Sequence, residues 1–213
     1  MEISSFLETL HQNLLDTSWL EIIAVIFGLL SVWYAKKANI LVYPTGIVSV
    51  LIYVYICLNA QLYADMGINA FYFIMSVYGW IMWTKKVENK KERPISFNTR
   101  KDNLISVGFF IFSLFVILFL LKYFKGDDVQ YWSTNIPYID TFTTAIFIVG
   151  MWLMAMKKVE NWIYWIVGDL ISIPMYFYKG LVFTSLQFLI FLIIAILGYL
   201  EWRKMVKTNQ IIA

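Results

Sequence analysis

An acidic side chain lies in the middle of a long apolar segment. Asp169 follows Trp162 and Trp165 within residues 161–178, which are otherwise largely apolar. A carboxylate at membrane depth is costly unless a cation, a polar partner or a water-filled cavity meets it. On a helix, the spacing i, i+3, i+7 places the two indoles and the anion on one face. Because the face of an indole attracts cations, this pattern predicts a pocket for a flat aromatic ligand and suits a positively charged one.

The composition is that of an integral membrane protein. Of the 213 residues, 61% are hydrophobic and 15% are charged, whereas soluble domains average roughly 45–50% and about 25%. The net charge of +3 gives no support for a nucleic-acid partner. A single cysteine, Cys57, excludes an internal disulfide, and the single histidine, His11, lies outside the apolar segments. Since no phosphate-binding glycine loop and no nucleophile with a histidine base occur, we expect no cofactor, no metal and no enzymatic activity.

Seven segments are long and apolar enough to cross a bilayer as helices, for which about 20 residues are needed. A helix satisfies its own backbone hydrogen bonds in lipid, so the predicted fold class is an all-α integral membrane protein. The seven segments lie near residues 19–35, 39–59, 66–84, 103–123, 139–157, 161–178 and 182–202. Residues 1–18 are predicted to form an extracytoplasmic or interfacial segment.

The distribution of basic residues predicts the orientation. With seven spans, all 17 lysines and arginines except Lys122, Lys125 and Lys179 lie on one side of the membrane. The positive-inside rule makes that side cytoplasmic. The N-terminus is therefore expected outside and the C-terminus inside.

Spans one to three resemble spans five to seven. The matching pairs are residues 24–37 with 145–158, which both end in a double lysine, residues 79–85 with 198–204, Asn39 with Asn161, and Gly46 with Gly168. Span four then links two triplets that have the same orientation in the membrane. Parallel repeats of this kind occur in transporters, with the substrate site between the repeats.

This 3+1+3 plan predicts the domain organisation. It consists of a first three-helix repeat at 19–84, a cytoplasmic linker at 85–102, a linker helix at 103–123 and a second three-helix repeat at 139–204.

Polar side chains in both triplets are candidates for the same site. Asn69, Tyr72 and Ser76 share one face of span three, and Gln187 occupies a related place in span seven. Hydrogen bonds between helices are the alternative explanation for such residues. Because the polar positions recur in both repeats, we favour a cavity.

Three stretches carry a resemblance to a known family. They are residues 62–67 (LYADMG) continuing to Tyr78-Gly79-Trp80, the motif Trp162-x-x-Trp165-x-x-x-Asp169, and the motif Tyr176-x-Tyr178-Lys179-Gly180-Leu181. Together with the 3+1+3 plan, they make residues 20–204 resemble the PnuC family of bacterial vitamin transporters. The resemblance implies facilitated diffusion, trapping of the vitamin by a cytosolic kinase, a homotrimer, and a location in the bacterial cytoplasmic (inner) membrane.

The resemblance also implies roles for particular residues. Trp162 and Trp165 match the substrate-contacting tryptophan pair of the family, and Asp169 matches a polar position where some members carry Asn. Asn69 aligns with a glutamine that is common in riboside transporters, and Tyr176 is included among the substrate-binding residues. Trp162 and Trp165 are expected to stack on the substrate ring, Asp169 to offset its charge or bind a hydroxyl, and the polar residues to bind its substituents.

The predicted function is uptake of a cationic vitamin precursor, with nicotinamide riboside first and thiamine second. Both contain a permanently cationic aromatic ring, which suits Asp169 and the indoles better than uncharged riboflavin. A proton-coupled symporter in which Asp169 titrates, and a membrane receptor without transport, are the alternatives.

Overall fold

The described part of the chain is helical. The computed structural model describes residues 18–60, 63–86 and 93–212. Its helices are α1 (Trp19–Lys36), α2 (Val42–Asn59), α3 (Tyr63–Thr84), α4 (Arg100–Lys125), α5 (Val129–Trp132), α6 (Ile136–Ala155), α7 (Asn161–Tyr178) and α8 (Val182–Ile212). The seven long helices lie at the seven predicted segments, and the short α5 was not predicted. Apart from Ser18, the predicted N-terminal segment lies outside the described residues.

Five of the described helices have the length and apolar composition needed to cross a membrane. They are α1, α2, α4, α6 and the Val182–Thr208 part of α8. The helices α3 and α7 are not among them, because polar and aromatic residues such as Asn69 and Asp169 reduce their hydropathy. These two helices carry most of the predicted site residues.

Local signals in the sequence explain where several helices begin and end. The Ser18 side chain caps α1 by accepting a hydrogen bond from the Glu21 backbone at 3.2 Å. Thr99 and Asp102 form a reciprocal capping box at the start of α4, which satisfies two backbone donors that a helix start leaves free. After α7, Gly180 adopts a φ of 75°, a conformation that glycine reaches without steric cost.

The long helices pack as two triplets. The helix α2 packs between α1 and α3, and α7 packs between α6 and α8. The triplets meet where α1 packs against α8 and α3 against α6, while α4 packs mainly on α6. Short loops join consecutive helices within each triplet, so neighbouring helices run antiparallel. We call the end of the bundle where α1 begins and α2 ends the Glu21 end, and the opposite end the Tyr43 end.

Equivalent features of the two triplets are separated by a constant 119 residues. The bounds of α2, Val42–Asn59, become the bounds of α7, Asn161–Tyr178, when 119 is added. The same step relates the ends of α1 and α6. It also relates Ala38 to Lys157, which have positive φ values of 50° and 53° in the following turns.

This spacing corrects the register of the predicted sequence alignment. The double lysines are 121 positions apart, because Lys36 is the last residue of α1 whereas Lys157 lies beyond the end of α6. In the structure, Asn39 therefore corresponds to Lys158, and Gly46 to Trp165. A constant spacing also removes the need for gaps within the helices.

The described end of the predicted linker packs on the turn between α6 and α7. The Ser96 backbone donates to the Lys157 carbonyl at 3.1 Å, and Val159 donates back to Ser96 at 3.0 Å. Lys158 Nζ reaches Asp102 Oδ2 at 2.8 Å. These contacts hold residues 93–99 against the turn that leads into the helix of Asp169.

Candidate functional site

A central cavity lies between the two triplets. Its volume is about 420 Å³, and helices α1, α2, α3, α6, α7 and α8 all contribute to its wall. All eight residues predicted for the site line this one cavity: Asn69, Tyr72, Ser76, Trp162, Trp165, Asp169, Tyr176 and Gln187. The sequence pattern thus selected residues that the tertiary structure brings together, although their roles in binding stay predictions.

Asp169 is buried in the wall of the cavity. The residue is 2% exposed, and its carboxylate accepts no hydrogen bond and forms no ion pair within the described residues. A buried carboxylate without compensation is destabilising, because it loses its hydration and gains nothing in return. A cationic or hydrogen-bonding ligand in the cavity would supply the missing interaction.

A row of stacked aromatic rings forms one wall. Trp165 stacks on Phe147 with centroids 5.3 Å apart and an interplanar angle of 25°. Phe147 also stacks on Phe188, with centroids 6.0 Å apart. Phe188 in turn stacks on Tyr176, with centroids 5.0 Å apart and an interplanar angle of 12°. These four residues line the cavity with aromatic surface, which suits a flat aromatic ligand.

Glycines of the first triplet stand at the positions equivalent to two aromatic residues of the second. Phe147 packs on Gly168, and the edge of Trp165 lies 3.4 Å from where a Cβ on Gly150 would be. Their counterparts, 119 residues earlier in the chain, are Gly28 in place of Phe147 and Gly46 in place of Trp165. Both glycines line the cavity, and a Cβ on Gly46 or Gly28 would meet the Ser31 or Ser49 hydroxyl at 2.9 Å or 3.2 Å.

Four aromatic side chains close the cavity at the Tyr43 end. Tyr43 meets Trp83 edge-to-face at 5.2 Å and 88°, and Trp162 meets Trp202 in the same way at 5.6 Å and 89°. All four residues are at most 2% exposed. These two pairs are related by the step of 119 residues.

Reciprocal hydrogen bonds join the triplets at this end. Trp83 Nε1 donates to the Met154 carbonyl at 3.1 Å, and Trp202 Nε1 donates to the Ala35 carbonyl at 3.0 Å. Each bond crosses from the third helix of one triplet to the first helix of the other. Both carbonyls belong to the last turns of their helices and also accept a backbone hydrogen bond, Met154 from Lys157 and Ala35 from Ala38, so each tryptophan uses the second lone pair of its carbonyl.

Two polar atoms at this closed end have no partner. The Tyr43 hydroxyl and Trp162 Nε1 are buried and unbonded in the part of the chain that the structure describes. Both residues line the cavity. Buried polar groups are usually hydrogen-bonded, so these two atoms are exceptions, and neither is exposed to the cavity.

The cavity reaches partly exposed side chains at the Glu21 end. Glu21, Tyr53 and Thr184 contribute to the wall there, and the Gln187 side chain lies close to Tyr53. No lysine, arginine or histidine lines the cavity among the described residues. The cavity therefore carries acidic groups without basic ones.

Sequence reasoning missed several residues of this wall. Phe147, Phe188 and Phe191 line the cavity, but phenylalanine in a membrane helix gives no signal that separates a site from lipid-facing surface. Glu21 was also missed, because an acidic residue at a helix start is explained by the helix dipole alone. Asn69 and Gln187 both line the cavity as predicted. They are not equivalent positions of the two triplets, however, because the counterpart of Asn69 is Phe188.

The fold and the cavity define a multi-pass integral membrane protein with an aromatic and acidic ligand cavity between two sets of helices. The family model described as nicotinamide mononucleotide transporter matches residues 18–204. Because that match covers most of the chain, the protein belongs to this family of membrane transporters. The predictions of a transporter rather than an enzyme, and of a resemblance to PnuC, are confirmed.

Curated relatives agree with this assignment. The chain is 29% identical to the nicotinamide riboside transporter PnuC of Escherichia coli (strain K12), over 88% of this chain and 86% of the relative. It is 26% identical to a protein of the same name from Neisseria mucosa, over 91% and 75%. It is also 20% identical to the riboflavin/roseoflavin transporter RibM of Streptomyces davaonensis, over 86% and 84%.

A solved structure has the same fold. The crystal structure of the vitamin B3 transporter PnuC superposes with a TM-score of 0.67 at 24% identity, covering 95% of this chain and 90% of that one.

Proposed function

We propose that this protein imports nicotinamide riboside by facilitated diffusion. The family match and the relatives named nicotinamide riboside transporter support this substrate. After import, a cytosolic kinase would phosphorylate the vitamin and trap it, so that the gradient keeps driving uptake without an energy source in the transporter.

The unpartnered carboxylate of Asp169 carries the proposal. It is 2% exposed and lines a cavity whose described wall contains no basic side chain. A pyridinium ring there would compensate the buried charge and stack on the aromatic wall at Trp165. An uncharged ligand of the same shape would gain only the stacking.

The remaining lining residues suit the other parts of this substrate. Asn69, Tyr72 and Gln187 provide donors and acceptors for the ribose hydroxyls, with Ser76 and Tyr176 completing the polar lining. The sequence predicts that both tryptophans stack on the substrate; here Trp165 is assigned the stacking, and Trp162, which packs edge-to-face on Trp202, is assigned to the cavity wall.

We further propose the seven-span, 3+1+3 organisation with an outward N-terminus and an inward C-terminus. The constant spacing of 119 residues between equivalent helices and the reciprocal tryptophan bonds support two parallel repeats. In this orientation the Glu21 end faces outward and the closed Tyr43 end faces the cytoplasm. The predicted homotrimer and the bacterial inner membrane belong to the same proposal.

Ligand binding to purified protein tests the substrate. Nicotinamide riboside, thiamine, riboflavin and a nucleoside are titrated while tryptophan fluorescence is followed, and we expect nicotinamide riboside to quench at the lowest concentration. Tighter binding of thiamine would make thiamine the proposed substrate and would leave the proposed cation site unchanged. Quenching by none of the four would contradict the proposal.

Flux into liposomes tests the mechanism. Facilitated diffusion predicts that nicotinamide riboside equilibrates across the bilayer and that a pH gradient does not raise the final level. Accumulation above equilibrium under a pH gradient would indicate proton symport instead. Binding without flux would indicate a receptor.

A further inference from the structure

Glu21 is an acidic residue at the mouth of the cavity that has no basic partner among the residues that the structure describes. It lies in the first turn of α1, is half-buried and contributes to the cavity wall. Within the described residues its carboxylate forms no ion pair. Tyr53, across the mouth on α2, lies within electrostatic reach of it.

The equivalent acid of the second triplet is neutralised. Adding 119 to Glu21 gives Asp140, whose carboxylate pairs with Lys179 Nζ at 3.1 Å. Asp140 also accepts a hydrogen bond from the Tyr131 hydroxyl at 3.1 Å. The counterpart of Lys179 in the first triplet is Ala60. Both triplets thus have an acidic residue at this position. Among the described residues, only the acid of the second triplet pairs with a basic side chain.

A second, independent feature lies deeper in the same cavity. Asp169 is 2% exposed and unpartnered within the described residues, so one carboxylate stands at the mouth and another in the interior. The described wall has no basic side chain that would offset an acidic group between the mouth and the buried site. Low-dielectric walls focus the field of acidic groups and raise the local concentration of the opposite charge.

We propose that Glu21 is a specificity-determining residue that draws cationic ligands into the mouth and so favours them over neutral ligands of the same shape. This inference rests on the proposed function, since it takes the pyridinium nucleoside as the ligand. Glu21 acts before the ligand reaches Asp169, so its effect is on the association rate.

Stopped-flow tryptophan fluorescence on the full chain in nanodiscs measures that rate. The two ligands are nicotinamide riboside, which is cationic, and its neutral 1,4-dihydropyridine form. Glu21→Gln is expected to slow association of the cation about fivefold at low salt, the effect of one unit charge at about 4 Å in water. Association of the neutral form should change less than about twofold by the same reasoning.

Controls separate charge from damage to the fold. Asp127→Asn removes an acid from the loop before α5, at the same end of the bundle but outside the cavity wall, and should change neither rate. Glu21→Asp keeps the charge and should retain most of the cation rate. In the unaltered protein, raising the salt to about 1 M, where the Debye length is about 3 Å, should remove most of the advantage of the cation.

Each outcome bears on one proposal. Equal slowing of both ligands by Glu21→Gln, or a cation rate in the unaltered protein that does not depend on salt, would overturn the role of Glu21 while leaving the substrate assignment intact. Failure of the unaltered protein to bind nicotinamide riboside would overturn the proposed function itself.

Discussion

Replacing Asp169 by asparagine removes the buried charge while keeping the shape of the side chain. Because the carboxylate has no partner in the described residues, the substitution breaks no hydrogen bond and no ion pair in the ligand-free protein. Uncompensated buried charges are destabilising, so the thermal midpoint of Asp169→Asn should equal or exceed that of the unaltered protein. The variant should therefore fold, and any loss of binding reports on the ligand.

The size of the binding loss follows from the burial of the site. Opposite unit charges about 4 Å apart interact by about 4 kcal/mol at an effective dielectric of about 20. Little of this is lost to desolvating Asp169, which is already 2% exposed without a ligand. An asparagine retains a hydrogen bond worth about 1 kcal/mol, which leaves about 3 kcal/mol, or roughly a hundredfold in Kd.

Titration calorimetry with nicotinamide riboside and its neutral dihydropyridine form measures the difference. The cation should bind roughly a hundredfold more weakly to Asp169→Asn, and the neutral form should be nearly unaffected. Ser172→Ala is the matched control, because Ser172 is buried on the same helix with an unbonded hydroxyl but does not line the cavity. Equal losses for the two ligands would show that Asp169 shapes the cavity and does not compensate a charge.

Three further changes test other parts of the structure. Tyr43→Phe removes a hydroxyl that is unbonded in the described residues and is not exposed to the cavity, so it should leave thermal stability unchanged or higher and nicotinamide riboside binding unchanged; a lower thermal midpoint would refute this. Gly198→Ala places a Cβ 2.6 Å from the Trp162 ring and should lower the free energy of unfolding in denaturant by about 1–3 kcal/mol. The control is Gly108→Ala, whose Cβ has no atom within 4 Å, so it should leave stability unchanged or raise it. Lys158→Met removes a partly exposed ion pair that stabilises the protein by at most about 1 kcal/mol. The variant should therefore show faster proteolysis of the linker before α4, with little change in the free energy of global unfolding. An unchanged cleavage rate would show that the ion pair does not hold the linker.

The sequence alone determined the helices and the polar face of the site. Membrane helices must contain long apolar segments, so the approximate positions of the helices could be predicted, and α7 begins at Asn161 as expected. The helical period also placed Trp162, Trp165 and Asp169 on one face, because side-chain direction depends only on spacing within the helix. These inferences need no knowledge of which helices become neighbours.

Only the tertiary structure decided which faces meet. The spacing of 119 residues emerges from the ends of the helices and their turns, whereas the double lysines suggested a different register because they lie at different points relative to the helix ends. The bonds from Trp83 and Trp202 to carbonyls of the opposite triplet join residues far apart in the chain, so no local pattern could reveal them. The same holds for the cavity: Glu21 and Phe147 become part of one wall with Asp169 only when six helices are packed together.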